Sequence, residues 1–356
     1  MPTSSVVIRA LNEERHIGRL LAGLGHQTVQ PDEIILVDSG STDATVDIAE
    51  HYGCKVVRIP KEQFSFGRAL NWGCEAASGE LLFFLSAHVY PVYDTYIEHM
   101  LAPFERPETA VVYGRQVGDR RTKYSESRVM LKWFPEESMW DQGHPFSNNA
   151  NAAVRRDVWA ELRYDEELTG LEDLEFADRA IGKGYAVAYV AEAPVVHVHE
   201  EPWDRIRNRY RREAIAYARI MGDKQKRLSA LEAARLALAN VGTDYWHAIR
   251  ERQLSANLLG IPAFRVAQFL GAWEGFRSES ALTDELRKRF YYPLDLTLPT
   301  AQEEPGKRID YDGEGSCPGS SRSCRCGTTA SGCRARTTAP SPGSRCSTTS
   351  CRRCWT

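Results

Sequence analysis

Four short clusters hold residues whose types and spacing could do chemistry. An uncharged run, Leu81 to Ser86, leads into Ser86-Ala87-His88 ahead of Pro91, and nothing in a buried strand requires a serine and a histidine at its end. A second apolar stretch carries His197 and His199, two residues apart, so on a strand the imidazoles point the same way. Imidazole ligates transition metals better than it ligates Mg²⁺. Glu172 and Asp173 open an amphipathic helical pattern, where a carboxylate is either a general base or a helix cap, and where the helix dipole is expected to keep Asp173 ionised. "ILVDSGSTDAT" puts Asp38-Ser39-Gly40 directly after an apolar strand, where a carboxylate accepts hydrogen bonds either from a ligand or from its own turn.

Such clusters need elements that bring them together. Residues 5–10 read as a strand, followed by a helix from Glu13 with Asn12 as N-cap. Residues 33–38 are the next strand. "STDATVDIAEHYG" is a capped helix ending at Gly53, 55–59 a strand, 67–79 a helix, and 81–86 the fourth strand. This alternation predicts an α/β fold whose parallel sheet is covered on both faces, with ligands at the carboxyl ends of the strands. Three of those ends read Arg9-Ala10-Leu11-Asn12, Asp38-Ser39-Gly40-Ser41 and Ser86-Ala87-His88. From about residue 145 the pattern changes to an acidic-started helix, two short strands ("AVAYV", "VVHVH"), and then mostly helix from Trp203 to about 290. The helix at 205–219 is rich in arginine. Its basic side reads as a solvated face, a diphosphate contact or a membrane contact. Leu228, Leu231, Ala234 and Leu238 form apolar stripes suited to packing on the body or on a second chain, which leaves a homo-oligomer open.

Bulk properties exclude several classes. A net charge of −3 on 356 residues argues against a nucleic-acid partner. The first residues lack the apolar stretch of a signal peptide, and no window approaches the roughly 18 apolar residues of a membrane span, so a cytoplasmic protein is expected. Seven of the nine cysteines lie between Cys317 and Cys354. That region, from Ser316, holds seven arginines and no acid. With +7 there and −3 overall, the remaining residues carry −10. Its composition is that of a disordered tail, resembles out-of-frame translation, and lacks paired metal-binding modules. No G-x-G-x-x-G follows the first strand and no P-loop is present, so a dinucleotide cofactor is not expected. The glycine-rich turn of a sugar nucleotidyltransferase is missing as well.

Five segments in order, through about residues 4 to 220, resemble a family 2 glycosyltransferase of the GT-A fold. They are "SVVIRALNEERHIGRLLAGL", "ILVDSGSTDAT", "GRALNWGCEAASGELLFFLSAH", "GLEDLEFADRAIGKGY" and "VVHVHEEPWDRIRNRYRRE". The opening and the His-x-His segment lean towards the rhamnosyltransferase-like branch. The resemblance implies a GT-A domain over 1–220 (nucleotide-binding half 1–115, acceptor and catalytic half 116–220), a helical extension over 221–300 and a tail over 301–356. It implies inverting transfer of a sugar from a UDP-, dTDP- or GDP-linked donor to a hydroxyl of a glycan or lipid-linked acceptor, at or near the inner face of a membrane. Asp173 is then the general base with Glu172 beside it, and Ala10, Asn12, Glu13, Asp38, Ser39, Gly40, Arg68, Ser86, Ala87, His88 and Arg211 meet the nucleotide sugar. Two departures stand out. Leu70 occupies the place of the family's usual arginine, so Arg68 is only a substitute. Ser86-Ala87-His88 replaces the Asp-x-Asp that holds Mn²⁺ or Mg²⁺, which leaves His88, helped by His197 or His199, to bind a divalent ion. A binding protein of the same fold that has lost turnover, and a nucleotidyltransferase, are the alternatives.

Overall fold

The computed structural model describes residues 2–222, 228–278 and 305–311. In chain order the elements are β1 (Ser4–Ala10), α1 (Ile17–Gly25), β2 (Glu33–Asp38), α2 (Thr45–His51), β3 (Lys55–Arg58), α3 (Phe66–Ala76), β4 (Leu81–Ser86) and β5 (Val89–Pro91). There follow α4 (Tyr96–Leu101), β6 (Thr109–Val117), α5 (Tyr124–Trp133), β7 (Asn151–Arg155), α6 (Arg156–Leu162), α7 (Glu172–Gly182) and β8 (Ala186–His197). Helices α8 (Trp203–Met221), α9 (Ala230–Arg250), α10 (Leu254–Asn257) and α11 (Gly260–Ser278) complete the described chain.

The apolar runs become central strands because both of their faces are covered. Val7, Leu82 and Phe84 join one core beneath α3, α6 and α7, while Val6, Ile8, Phe83 and Leu85 join the other beneath α1 and α4. One mixed sheet of eight strands results, in the order β3-β2-β1-β4-β7-β6-β8-β5. Strands β3, β2, β1 and β4 are mutually parallel, β7 runs antiparallel to both β4 and β6, and β8 is parallel to β6. The chain steps from β1 to β2 on one side and returns to place β4 on the other, so the strand order reverses at β1. Carboxyl ends beside such a switch point form a crevice. Register fixes its lining: Ala10 pairs with Asp38, and Arg9 pairs with Ser86.

Some expected boundaries move. The first helix begins at Ile17 rather than Glu13. Asn12 does not cap it but adopts a left-handed φ of 56°, which asparagine tolerates. Its side-chain oxygen accepts from the Thr42 amide at 2.8 Å, tying the loop after β1 to the loop after β2. Pro91 does not stop the chain at the end of β4. It closes the edge strand β5, where a missing N–H costs nothing. The two short strands around 186–199 are one strand of 12 residues, β8, whose pairing to β6 shifts register between Gly114 and Gln116. Within the region expected to be a tail, residues 305–311 lie against the segment after β5, with the Tyr311 hydroxyl donating to the Pro91 carbonyl at 2.7 Å. The remainder of that region, and the helix expected from 279 to about 290, lie outside the described residues.

Candidate active site

A cavity of about 570 Å³ opens beside the carboxyl ends of β1 and β4. One wall comes from β1, α3 and the turn after β4 (Arg9, Phe66, Ser86, His88), and another from the end of β8 (His197, His199). The chain before β7 and the start of α7 add Asn149 and Asp173, and α8 adds Arg209, Arg212 and Glu213.

Asp173 and Glu172 divide into two environments. Glu172 is buried, and its Oε1 pairs with Arg9 Nη1 at 3.0 Å. Asp173 faces the cavity; its Oδ2 accepts from the Asn149 amide at 3.1 Å and its Oδ1 from the Leu174 amide at 2.8 Å. The helix dipole does not keep Asp173 strongly acidic. Desolvation and then the neighbouring Glu172 carboxylate push it up to about 7, against the two amides and Arg9. Arg9 therefore binds one carboxylate and acts on the other through its charge alone. Its guanidinium also lies 5.1 Å from the Phe66 ring, whose other cationic neighbour is Arg212 at 4.8 Å.

The three histidines converge. His88 Nδ1 meets Glu13 Oε1 at 2.9 Å, and its ring stacks on His197 with centroids 5.0 Å apart. His197 Nδ1 faces Gln116 Oε1, and His199 Nδ1 faces Glu126 Oε1, each at 2.6 Å. Both partners are acceptors, so both Nδ1 atoms carry the hydrogen and the two Nε2 atoms carry lone pairs when the rings are neutral. Those Nε2 atoms lie only 3.0 Å apart. Two lone pairs so placed repel unless a proton on one ring or a metal ion lies between them. One ring nitrogen from each of His88, His197 and His199 comes within 4.8 Å of the others, a donor set that fits a transition-metal ion. Burial, then His199 and His88, depress His197 far below the usual imidazole range, which keeps its ring unprotonated. Burial works to raise Glu126, but the His199 hydrogen bond and the Arg209 charge overcome it and hold the carboxyl at about 2. The anchor behind His199 is thus ionised throughout the physiological range.

Other expected residues lie elsewhere. Asp38, buried at the end of β2, spends its carboxylate on the amides of Gly40 and Ser41 at 3.1–3.2 Å. Ser39 donates to the Ala10 carbonyl at 3.2 Å, and Gly40 takes a φ of 97° in the turn that results. Ala10, Asn12, Asp38, Ser39, Gly40 and Ala87 support the crevice without lining the cavity. Arg68 is also outside it: its Nε is bound to Glu166 Oε2 at 2.6 Å, which ties α3 to the loop before α7. Arg211 is exposed and outside the cavity lining, whereas Arg205, Arg209 and Arg212 of the same helix reach the cavity. The basic side of α8 is not one open charge row, because Arg207 pairs with Glu274, Arg209 with Glu126 and Glu201, and Arg219 with Glu167. Gln116, Glu126 and Asn149 were not expected, and Arg9 and Arg209 were read only as part of a polar strand end and of a basic helix. Arg9, a charge inside an otherwise apolar strand, and Arg209, in the arginine-rich helix, left a signal in the sequence. Glu126 and His199 are 73 residues apart, and nothing local announces the pair.

Residues 5–163 match the family model described as Glycosyl transferase family 2. The chain is 31% identical over 193 residues to the O-antigen chain rhamnosyltransferase RfbN of Salmonella typhimurium, covering 51% of this chain and 61% of that protein. It is 31% identical over 185 residues to the O-antigen chain rhamnosyltransferase WbaN of Salmonella anatum, covering 49% and 58%. The chain thus spans about three fifths of the length of these curated relatives. Among solved structures, the mannosyltransferase PcManGT from Pyrobaculum calidifontis, in complex with GDP-Man and Mn²⁺, superposes with a TM-score of 0.55 at 16% identity, covering 78% of this chain and 88% of that one. The architecture is the GT-A fold, and the chain resembles the rhamnosyltransferase-like members of family 2.

Proposed function

We propose that this chain, which carries a family 2 glycosyltransferase domain, is an inverting glycosyltransferase moving a deoxyhexosyl or hexosyl residue from a nucleotide sugar to a hydroxyl of a glycan or lipid-linked acceptor. The observation that carries this reading is Asp173: a carboxylate in the wall of a cavity that His88, His197, His199, Arg9 and Arg212 also line, with its pKa moved close to neutrality. A base is most effective when its pKa lies near the working pH. In the proposed reaction the acceptor hydroxyl gives its proton to an Asp173 oxygen while its own oxygen attacks the anomeric carbon. The bond from that carbon to the diphosphate oxygen breaks, and the nucleoside diphosphate leaves with the electron pair. Charge that develops on the diphosphate meets Arg9 and Arg212, whose positions Phe66 and Glu172 hold. A divalent cation held by His88, His197 and His199 would neutralise further charge on the leaving group. Asp38 and its turn are assigned to the nucleotide side of the crevice, shaping the β2 exit rather than lending a free carboxylate.

Ser86 in the place of a metal-binding aspartate favours the second reading, a nucleotide- or glycan-binding protein without turnover. Incubation with a panel of UDP-, dTDP- and GDP-sugars, with and without Mn²⁺, separates the two. Slow release of nucleoside diphosphate from one donor, stimulated by Mn²⁺, is the expected outcome. Tight donor binding with no release from any donor would favour the second reading, and pyrophosphate release from a nucleoside triphosphate and a sugar phosphate would overturn both.

A further inference from the structure

We propose that the outer face of the α9–α11 helical hairpin is a docking surface for an anionic lipid bilayer. On α9, Leu231 is 81% exposed, Leu238 72%, Ile249 58% and Trp246 52%. At 100° per residue, Leu231, Leu238 and Ile249 fall within about 20° of one line that runs for about 27 Å, with Trp246 about 60° to one side. Single exposed leucines are ordinary, whereas an aligned row of large apolar side chains ending in a tryptophan calls for a partner. Helix α11 packs on α9, and Val266 and Leu270 of α11, with Leu259 just before it, are exposed as well.

Charge identifies the occupant. From Ala230 to Leu270 the exposed charged residues are Arg235, Arg250 and Arg252, and no acidic residue is exposed. Of the three acids of this stretch, Asp244 is buried against Arg265 and Ser125, Glu251 is held by Tyr124 and Arg128, and Glu232 is half-buried in the first turn of α9. An apolar row whose exposed charged neighbours are all arginines, on a chain that is acidic outside its arginine-rich end, matches a negatively charged headgroup layer. A second copy of the chain is a poorer match, because a symmetric contact would bring the same arginines face to face. Trp246 suits the headgroup boundary, with the Arg250 guanidinium 4.5 Å above its ring. Among the described residues no helix is long and apolar enough to cross a membrane, so the hairpin would lie on the surface rather than span it. This inference does not depend on the sugar-transfer reading.

The test is flotation of the full chain with vesicles of equimolar phosphatidylglycerol and phosphatidylcholine, against phosphatidylcholine alone. The wild type should float only with the anionic vesicles and less so as salt rises. The double variant Leu238→Glu/Ile249→Glu should lose at least about tenfold in binding while its circular dichroism and donor hydrolysis stay unchanged. Brominated lipid should quench fluorescence in the wild type and do so less in Trp246→Phe. Absence of wild-type binding would overturn the proposal. So would equal binding by the double variant, since the arginine-rich terminus would then be the contact. A lipid-independent dimer that the double variant dissolves would assign the face to a second copy, and protection of Trp246 from aqueous quencher without lipid would assign it to another segment of this chain.

Discussion

The cavity works, on this account, because titratable groups that share its lining are driven in opposite directions. Asp173 is pushed up by burial and by Glu172, whereas Glu126 is held down by His199 and Arg209. The sign for activity follows. Asp173 is protonated below about 7, so the transfer rate should fall on the acid side with an apparent pKa near 7 rather than near 4. A pH–rate profile whose acid limb lies at 4 would contradict the assigned environment. Glu126 has the opposite linkage. Its depressed pKa contributes stability that is complete above the ordinary glutamate range and is lost as pH falls towards 2. Glu126→Gln should remove the ionic anchor of His199 and weaken Mn²⁺ binding by about 10–100-fold, measured by calorimetry. Unchanged Mn²⁺ affinity would mean that His199 is not a ligand. The acidic pair 172–173 and the His-x-His segment were legible in the sequence because each is local. The acceptors that orient the two imidazoles, Gln116 and Glu126, were not, because tertiary packing alone brings them near.

At the scale of elements, strand-helix alternation made β1 to β4 readable: apolar runs bounded by polar exits have few other uses. The errors fell where loops overrode local propensity. Asn12 has the type of an N-cap but serves as a strut between two loops, and Pro91 has the type of a terminator but serves as an edge residue. Helix α8 supplies Arg209 and Arg212, and α11 sets its position through close backbone contact. A Cβ built on Gly271 would lie 2.1 Å from the Arg207 carbonyl oxygen, and one on Gly275 would lie 2.4 Å from that of Arg211. Side chains here must push the helices apart. Gly271→Val should therefore destabilise the protein by about 1–3 kcal/mol in urea unfolding. It should also lower donor affinity, because Arg212 moves with α8. A variant as stable as wild type would show that the α8–α11 contact is looser than described. The glycines themselves gave no hint in the sequence, since each sits in an otherwise unbroken helical pattern.

At the scale of the whole molecule, the site draws on residues as far apart as Arg9 and Glu213, so a ligand that bridges its walls stabilises the entire described body. Mn²⁺ at a hundredfold excess over its dissociation constant should add about 2.7 kcal/mol and raise the unfolding temperature. An unchanged melting curve in His88→Ala/His199→Ala with Mn²⁺ would accompany loss of the site, whereas an undiminished Mn²⁺ shift in that variant would place the ion elsewhere. The central claim is that Asp173 takes the acceptor's proton, and Asp173→Asn tests it most directly. The variant keeps the shape of the side chain and its place in the wall but cannot act as a base at neutral pH. The account predicts a nucleotide-sugar dissociation constant close to wild type, with the transfer rate reduced by about 10²–10⁴-fold. Transfer at the wild-type rate in a variant that binds donor normally would contradict it.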